Sequence, residues 1–143
     1  MVIDTKELVK IQGELAKGVI TRDEFPEIRL IGGADQAFPR DNAVRSCVVV
    51  LDFENLKLVE KSLVEEVVDF PYLPGFLSFR EGPPIIKAFK ELKIKPDVLL
   101  VDGNGILHPR RIGLASHVGV RLNIPTIGVA KSLLCGEEKN NRI

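Results

Sequence analysis

The order in which short apolar runs follow one another along the chain is the strongest constraint on its fold. Three runs rich in Val, Ile, Leu and Phe come first, at residues 28–38, 44–53 and 56–70, and each is bounded by Asn, Asp or Pro. Two more apolar runs, at 98–101 and 126–130, each follow a segment with apolar residues at helical spacing. This order predicts three antiparallel strands, then two parallel strands reached through crossover helices.

Three helices are predicted around these strands. The first covers residues 4–19, where Asp4 and Glu7 can form a capping box. The second is expected to begin at Pro83 or Pro84, after Glu81, because proline suits the first helical turn and is disfavoured in a helix interior. The third is expected to open at Pro109 and to turn its apolar residues inward, namely Leu114, Ala115, Val118 and Leu122.

The resulting order, βββαβαβ after a leading helix, suits a ribonuclease-H-like fold. This is an α/β architecture with a mixed sheet, three antiparallel strands followed by parallel βαβ units, flanked by helices. Halves of actin-like ATPases share the order, but Asp35 is followed here by Gln36, Ala37 and Phe38 rather than by a Gly/Thr phosphate loop. The length of 143 residues predicts a single domain over 1–143.

Charge and cysteine usage exclude several classes of protein. Twenty basic and twenty acidic side chains give a net charge of zero, which excludes a histone-like polycation. Cys47 and Cys135 lack C-x-x-C spacing, so neither a zinc site nor a disulfide framework is indicated. The first ten residues mix acids and bases, unlike a signal peptide, and no apolar run approaches a membrane span. A cytoplasmic, monomeric protein without membrane association is expected.

Two aspartates fall at apolar segments predicted to form neighbouring strands. Asp35 follows residues 31–34, and Asp102 ends the run 98–101. Buried carboxylates are costly unless they are paired or bound to a cation, and two that converge would suit Mg²⁺, which prefers oxygen ligands. The alternative is that each Asp simply begins a turn. Glu81 is a candidate third acid facing the pair, and its alternative is a capping-box role.

Basic and aromatic groups supply candidate nucleic-acid contacts. His108 and Arg110, beside Arg111, are predicted to lie at a helix N-terminus, where backbone amides also attract anions; the alternative is a solvated basic turn. Lys131 follows the last buried strand and could reach a phosphate. Tyr72, the single tyrosine, lies in a proline-stiffened loop that could wedge into stacked bases or simply pack in the core.

Three strings of residues together resemble one family. They are PYLPGFLSFRE at residues 71–81, VDGNG at 101–105 followed by HPRR at 108–111, and PTIGVAK at 125–131. They closely resemble endonuclease V over nearly the whole chain, from about residue 28 to 136. The resemblance implies a ribonuclease-H-like nuclease that uses Mg²⁺ or Mn²⁺ to cut on the 3′ side of deoxyinosine in DNA repair. Inosine-containing RNA is a second expected partner, because several members prefer it.

The resemblance also implies roles for individual residues. Asp35, Glu81 and Asp102 become the catalytic, metal-binding carboxylates, and Tyr72 becomes the wedge that fills the gap left by the rotated base. Phosphate contacts are assigned to His108, Arg110 and Lys131. The hypoxanthine pocket is assigned to Leu77, Gly103, Leu114, Gly128 and Leu134.

Two departures from the family pattern stand out. Asn104 replaces a residue that is often His or Gln in relatives, which is expected to matter little. The family normally continues through a further helix bearing a fourth metal-site residue, whereas residues 137–143 form a polar ending, so a C-terminally truncated domain is expected. A non-catalytic binder of inosine-containing DNA or RNA, with an incomplete metal site, is therefore the alternative function.

Overall fold

The computed structural model describes residues 3–25, 27–40 and 42–138, so most of the predicted polar ending lies outside the described residues. It contains a mixed sheet flanked by helices, as the order of apolar runs predicts. The helices are α1 Thr5–Ala16, α2 Leu77–Glu91 and α3 Leu114–Leu122. The strands are β1 Leu30–Arg40, β2 Ala43–Asp52, β3 Leu58–Val67, β4 Val98–Asp102 and β5 Thr126–Val129.

The five strands form one sheet in the order β3-β2-β1-β4-β5. Strands β1, β2 and β3 pair antiparallel, whereas β4 runs parallel to both β1 and β5. Ala34 of β1 lies opposite Val101 of β4, and Val101 lies opposite Gly128 of β5. The predicted ribonuclease-H-like arrangement is confirmed, and it places the ends of β4 and β5 beside the middle of β1.

The core lies between one face of the sheet and helices α2 and α3. Val48, Val50, Leu99 and Val101 alternate along β2 and β4 toward this side and are almost fully buried. Burying a side chain of this size contributes about 1.5–3 kcal/mol to stability. The helices contribute buried residues of their own, namely Ile85, Ala88, Phe89, Leu114, Ala115 and Val118.

The opposite face of the sheet is largely apolar and open in the described part of the chain. Leu63 is 61% exposed, and Ile127 and Val129 are each 53% exposed. The side chains of Val49 and Leu100 lie on the same face and line a shallow cavity of about 480 Å³. Asp35 and Asp102 also line this cavity, so the two aspartates lie on the open face.

Helix α2 begins earlier than predicted. It starts at Leu77 and contains Pro83 and Pro84 in its interior, so the prediction that the helix starts after Glu81 is wrong. Each proline removes an N–H donor and normally costs about 3 kcal/mol in a helix interior. Here Pro84 is completely buried, and Ile85 beside it reaches the core, so tertiary packing outweighs the local preference.

Helix α3 begins later than predicted, at Leu114 rather than at Pro109. His108 and Arg110 therefore lie in turns that precede the helix, and their predicted position at a helix N-terminus is wrong. Arg111 adopts a left-handed conformation with φ 56°, which interrupts any helix running through it. Gly113, the N-cap, lies against the 103–105 loop so tightly that a Cβ atom would meet the Asn104 carbonyl oxygen at 2.3 Å.

The start of α1 follows the prediction in part. The Asp4 carboxylate accepts hydrogen bonds from the backbone N–H groups of Lys6 and Glu7, as an N-cap should. The helix ends at Ala16, short of the predicted residue 19. In the described ranges, no helix combines the length and the apolar character required to traverse a lipid bilayer.

Candidate functional site

Asp35 and Asp102 lie at the same level of neighbouring parallel strands. Asp35 follows Ala34 and Asp102 follows Val101, and these two paired residues belong to the core. Because side chains alternate along a strand, both aspartates point to the open face. Adjacent strands are about 4.8 Å apart, which brings the two carboxylates into one site. The predicted adjacency of these strands is confirmed.

The buried acid of the site is Glu81 rather than either aspartate. Asp35 is exposed and the Asp102 side chain is 36% exposed, so the expectation that these two are buried carboxylates is wrong. They lie on the open face of the sheet, where water reaches them. Glu81 lies in the second turn of α2 and is only 7% exposed.

Burial raises the pKa of Glu81 to about 7. The guanidinium of Arg80 opposes this change, while the negative charges of Asp102 and Asp35 add to it. Both aspartates therefore lie within electrostatic range of Glu81. The three acids that the sequence singles out share one local environment, although they come from β1, α2 and β4.

The donor chemistry of these three residues fits a hard divalent cation. All the donors are carboxylate oxygens, and the charge of a cation would offset both the burial of Glu81, which is the main cause of its raised pKa, and the repulsion from Asp102 and Asp35. Throughout residues 3–25, 27–40 and 42–138, however, no three His, Cys, Asp or Glu side chains are gathered closely enough to hold a metal ion as they stand.

The side chain of Lys131 places a positive charge beside Asp102. Its Nζ lies 3.6 Å from Oδ2 of Asp102, and its side chain is 91% exposed. A pair so open to water contributes little to stability. The ammonium is free to contact an anionic ligand arriving beside the carboxylates.

A second cavity, of about 740 Å³, extends from Glu81 to the loop that carries Tyr72. Tyr72 is 69% exposed, so the alternative that it packs in the core is wrong. The remaining lining residues are Phe38, Arg40, Asn42, Pro71 and Arg80. This groove combines two guanidinium groups with aromatic surface, which is the composition expected of a nucleic-acid channel.

The contributions of Phe38, Arg40 and Arg80 to this groove are not predicted from the sequence. The guanidinium of Arg80 lies 5.6 Å from the Phe38 ring centroid and donates a hydrogen bond to the Phe70 carbonyl oxygen. The sequence does hold a signal for these contributions. Arg80 directly precedes Glu81, and Phe38 and Arg40 follow Asp35 in the same strand.

His108 and Arg110 are turned toward the protein. His108 is 6% exposed, and its Nε2 lies 3.1 Å from the Gly75 carbonyl oxygen. The Arg110 guanidinium also donates to this oxygen and lies 4.6 Å from the Phe76 ring centroid. Phosphate contact by these two residues stays a prediction, and Nε2 of His108 and both Nε and Nη2 of Arg110 already have acceptors within the protein.

Three of the five predicted pocket residues, Gly103, Leu114 and Gly128, are packed together. Gly103 has φ 157°, and a Cβ on it would meet Leu114 at 3.0 Å. A Cβ on Gly128 would meet the Gly105 nitrogen at 2.4 Å, so only glycine allows β5 to approach this loop. Leu77 is half-buried at the start of α2, whereas Leu134 is 44% exposed. The base pocket itself stays a prediction.

The sheet order, with one carboxylate in the middle of β1 and one at the end of the adjacent β4, defines a protein of the ribonuclease-H-like class. The solved structure of ribonuclease H2 from Pyrococcus horikoshii matches 71% of this chain and 61% of its own with a TM-score of 0.51. At 17% identity this likeness shows the fold alone. The Endonuclease V family model matches residues 13–142, and the chain belongs to that family.

Individual relatives agree with the family model. Endonuclease V of Dictyoglomus turgidum is 52% identical over 131 residues, which cover 92% of this chain and 57% of the relative. The solved endonuclease V structure from Streptomyces avermitilis has a TM-score of 0.85 at 39% identity and covers 92% of this chain and 59% of its own. This chain therefore spans less than two thirds of the length of either protein.

A solved complex shows a relative with nucleic acid. Endonuclease V of Ciona intestinalis, bound to a 24mer DNA containing an inosine followed by a ribo-adenosine, has a TM-score of 0.82 at 35% identity. The match covers 90% of this chain and 58% of that chain.

Proposed function

We propose that this chain acts as a metal-dependent endonuclease that recognises deoxyinosine in nucleic acid and cleaves a phosphodiester bond on its 3′ side, in DNA repair. The observation that carries the proposal is the placement of Asp35 and Asp102 at one level of neighbouring strands, within electrostatic range of the buried Glu81. The relative from Ciona intestinalis, which binds inosine-containing DNA, supports the choice of substrate.

Asp35, Glu81 and Asp102 would hold Mg²⁺ or Mn²⁺, since carboxylate oxygens suit both ions. When bound, such a cation lowers the pKa of a coordinated water and stabilises negative charge on the leaving oxygen. Glu81 must release its proton before it can act as a ligand, since its pKa is about 7 without metal. Hydrolysis adds water across the P–O bond and leaves a 3′-hydroxyl and a 5′-phosphate.

The remaining residues bind and orient the nucleic acid. Lys131, beside Asp102, contacts the phosphate that approaches the carboxylates. Tyr72 occupies the space that the rotated base leaves in the duplex, and its exposure of 69% makes its ring available for stacking. The rotated hypoxanthine is received by the pocket predicted from the resemblance, which comprises Leu77, Gly103, Leu114, Gly128 and Leu134.

A second candidate function is non-catalytic binding of inosine-containing DNA or RNA. It is favoured by the finding that, in the part of the chain the structure describes, no three potential ligands are gathered around a metal site. A binder would keep the groove and Tyr72 but would not cut.

One assay separates the two functions. We expect the purified chain, incubated with Mg²⁺, to nick a labelled duplex containing a single inosine at least ten times faster than the matched adenine duplex. EDTA should abolish the nicking, since the carboxylates require a cation to activate water. Cleavage products are resolved on a denaturing gel. A mobility shift without cutting supports the binder, whereas equal cutting of both duplexes contradicts the predicted base pocket.

Replacing Tyr72 with Ala should reduce the preference for inosine more than it reduces cutting. Stacking of one base on an aromatic ring is worth about 1–3 kcal/mol, or about 5- to 150-fold in affinity. Dissociation constants for inosine and adenine duplexes, measured by fluorescence anisotropy of the labelled DNA, give the ratio. Tyr72→Phe retains the ring and should keep the preference. If Tyr72→Ala leaves the ratio unchanged, the residue does not act as a wedge.

A further inference from the structure

The carbonyl oxygen of Gly75 accepts hydrogen bonds from three side chains that come from distant parts of the chain. Nε2 of Gln12 lies 2.9 Å from it, Nε2 of His108 lies 3.1 Å from it, and Arg110 donates to it through Nη2. Gly75 has φ 79°, and a Cβ atom there would meet Arg110 Nη2 at 3.0 Å, so a glycine is required. We call Gln12, His108 and Arg110 the Gly75 clamp.

Arg110 is the central member of the Gly75 clamp. Its Nε donates to Oε1 of Gln12, while its guanidinium plane lies 4.6 Å from the Phe76 ring centroid. Gln12 is completely buried although it is polar, and its side-chain amide donates to the Gly75 carbonyl oxygen and accepts from Arg110. The planar fork of an arginine suits two acceptors and a stacked ring at once, whereas a lysine ammonium does not.

His108 is held in the tautomer that the Gly75 clamp needs. The backbone N–H of Arg110 donates to its Nδ1 at 3.2 Å, so the proton of the neutral ring resides on Nε2 and points to Gly75. Burial lowers the pKa of His108, which keeps the ring neutral near pH 7. The imidazole therefore supplies one N–H donor to the loop and carries no charge.

The Gly75 clamp anchors one end of the loop that bears Tyr72. At the other end of this loop, Arg80 donates to the carbonyl oxygen of Phe70. Only residues 71–74 lie between the two anchors, and two of them are prolines. Tyr72 itself is exposed, so its position depends on how firmly these anchors hold the backbone.

We propose that Arg110 is a positioning residue, which acts with Gln12 and His108 to fix the 71–75 loop so that Tyr72 projects into the groove as a rigid wedge. The role in recognition rests on the proposed function, because it requires Tyr72 to contact nucleic acid. A loop fixed before binding loses less conformational entropy when the duplex arrives, so the clamp increases the contribution of Tyr72 to affinity.

The intrinsic fluorescence of the protein reports this loop directly. Tyr72 is the single tyrosine and there is no tryptophan, so the emission anisotropy of the native chain follows the motion of Tyr72. We expect Arg110→Met to increase the amplitude of nanosecond depolarisation about twofold, in the range where loops move. Arg110→Lys, which keeps the charge but loses the fork, should give an intermediate increase. Arg111→Met removes the neighbouring guanidinium and should leave the anisotropy decay unchanged.

Nucleic-acid binding supplies the second arm of the test. We expect Arg110→Met to lower the ratio of affinities for inosine and adenine duplexes about fivefold. Arg111→Met, which removes a charge, should lower the affinity for both duplexes by the same factor. Circular dichroism confirms that each variant is folded. If Arg110→Met does not fold, Arg110→Lys is compared with the native chain in the same measurements.

The two arms distinguish the clamp from the proposed function. An anisotropy decay that is unchanged in the folded Arg110 variants overturns the clamp. A looser Tyr72 in a chain that does not discriminate inosine supports the clamp and contradicts the proposed function. A looser Tyr72 with an unchanged inosine preference shows that Arg110 holds the loop but does not position it for recognition, and the proposal is then overturned.

Discussion

Replacing Asp102 with Asn should reduce Mg²⁺-dependent nicking of an inosine-containing strand on the order of 10³-fold. Asn has nearly the same shape, so the end of β4 and its register beside Asp35 are preserved. The negative charge is lost, and with it an anionic ligand for the cation that must activate water. The variant tests the charge of the site without disturbing its backbone.

Two measurements on Asp102→Asn test this prediction. Nicking rates are compared under single-turnover conditions, and affinity for the same duplex is measured in EDTA, where binding should change less than about threefold because phosphate contacts remain. Asp23→Asn, at an exposed position outside the site, removes the same charge and should leave both quantities unchanged. Full nicking activity in Asp102→Asn would contradict the assignment of Asp102 to the metal site.

Most of the sheet can be predicted from the sequence because its signals are local. The continuous apolar run that forms β4 is typical of a strand buried on both faces, and the right-handed crossover rule leaves few positions for it. The adjacency of β1 and β4, and hence of Asp35 and Asp102, follows from the ribonuclease-H-like strand arrangement that these signals favour. Their exposure does not follow, because it depends on how much of the sheet face is covered.

The starts of the two crossover helices could not be predicted from the same local signals. Pro83 and Pro84 favour a helix that begins at them, yet the packing of α2 against the sheet extends the helix back to Leu77. Pro109 likewise favours a helix start, but the chain bends at Arg111, where φ is 56°. In both places, tertiary contacts outweigh a proline preference of a few kcal/mol.

The Gly75 clamp could not be predicted from the sequence, because its residues are far apart in the chain. Gln12 and Gly75 are separated by 63 positions, and Arg110 and Gln12 by 98. The one available signal was a polar residue in the apolar stripe of α1, at positions i+4 from Leu8 and i−3 from Leu15. Such a residue indicates a buried hydrogen bond without identifying the partner. The predicted phosphate contact by Arg110 rests on its charge, whereas its hydrogen bonds depend on the fold.

The buried environment of Glu81 makes the free energy of unfolding depend on pH. Its pKa rises from an ordinary value of 4.5 to about 7, chiefly through burial. His117 in α3 is affected in the opposite sense, since burial, followed by the charge of Arg121, lowers its pKa to about 4. Acidification therefore favours the folded state through Glu81 and disfavours it through His117, so the pH dependence of the native chain contains two opposed contributions.

Glu81→Gln isolates the first of these contributions. Between pH 4.5 and 7 the folded protein binds the Glu81 proton and the unfolded chain releases it, so this stabilisation is complete below pH 4.5 and is lost as the pH rises through 7. We expect the variant to match the native chain near pH 4.5 and to exceed its free energy of unfolding by about 2–3 kcal/mol at pH 8 in EDTA. Urea denaturation at several pH values measures this difference, in which the His117 contribution cancels.

Adding Mg²⁺ should then remove most of this difference in stability at pH 8. A cation that binds the ionised Glu81 stabilises only the folded native chain, and at 100 times the dissociation constant the gain is about 2.7 kcal/mol. Glu81→Gln lacks the third carboxylate and should gain little. Ca²⁺ at the same concentration controls for ionic strength and for the size of the cation. If the stabilities of the two proteins differ equally at pH 4.5 and pH 8, Glu81 is not a desolvated acid. If Mg²⁺ stabilises both equally, Glu81 is not a ligand.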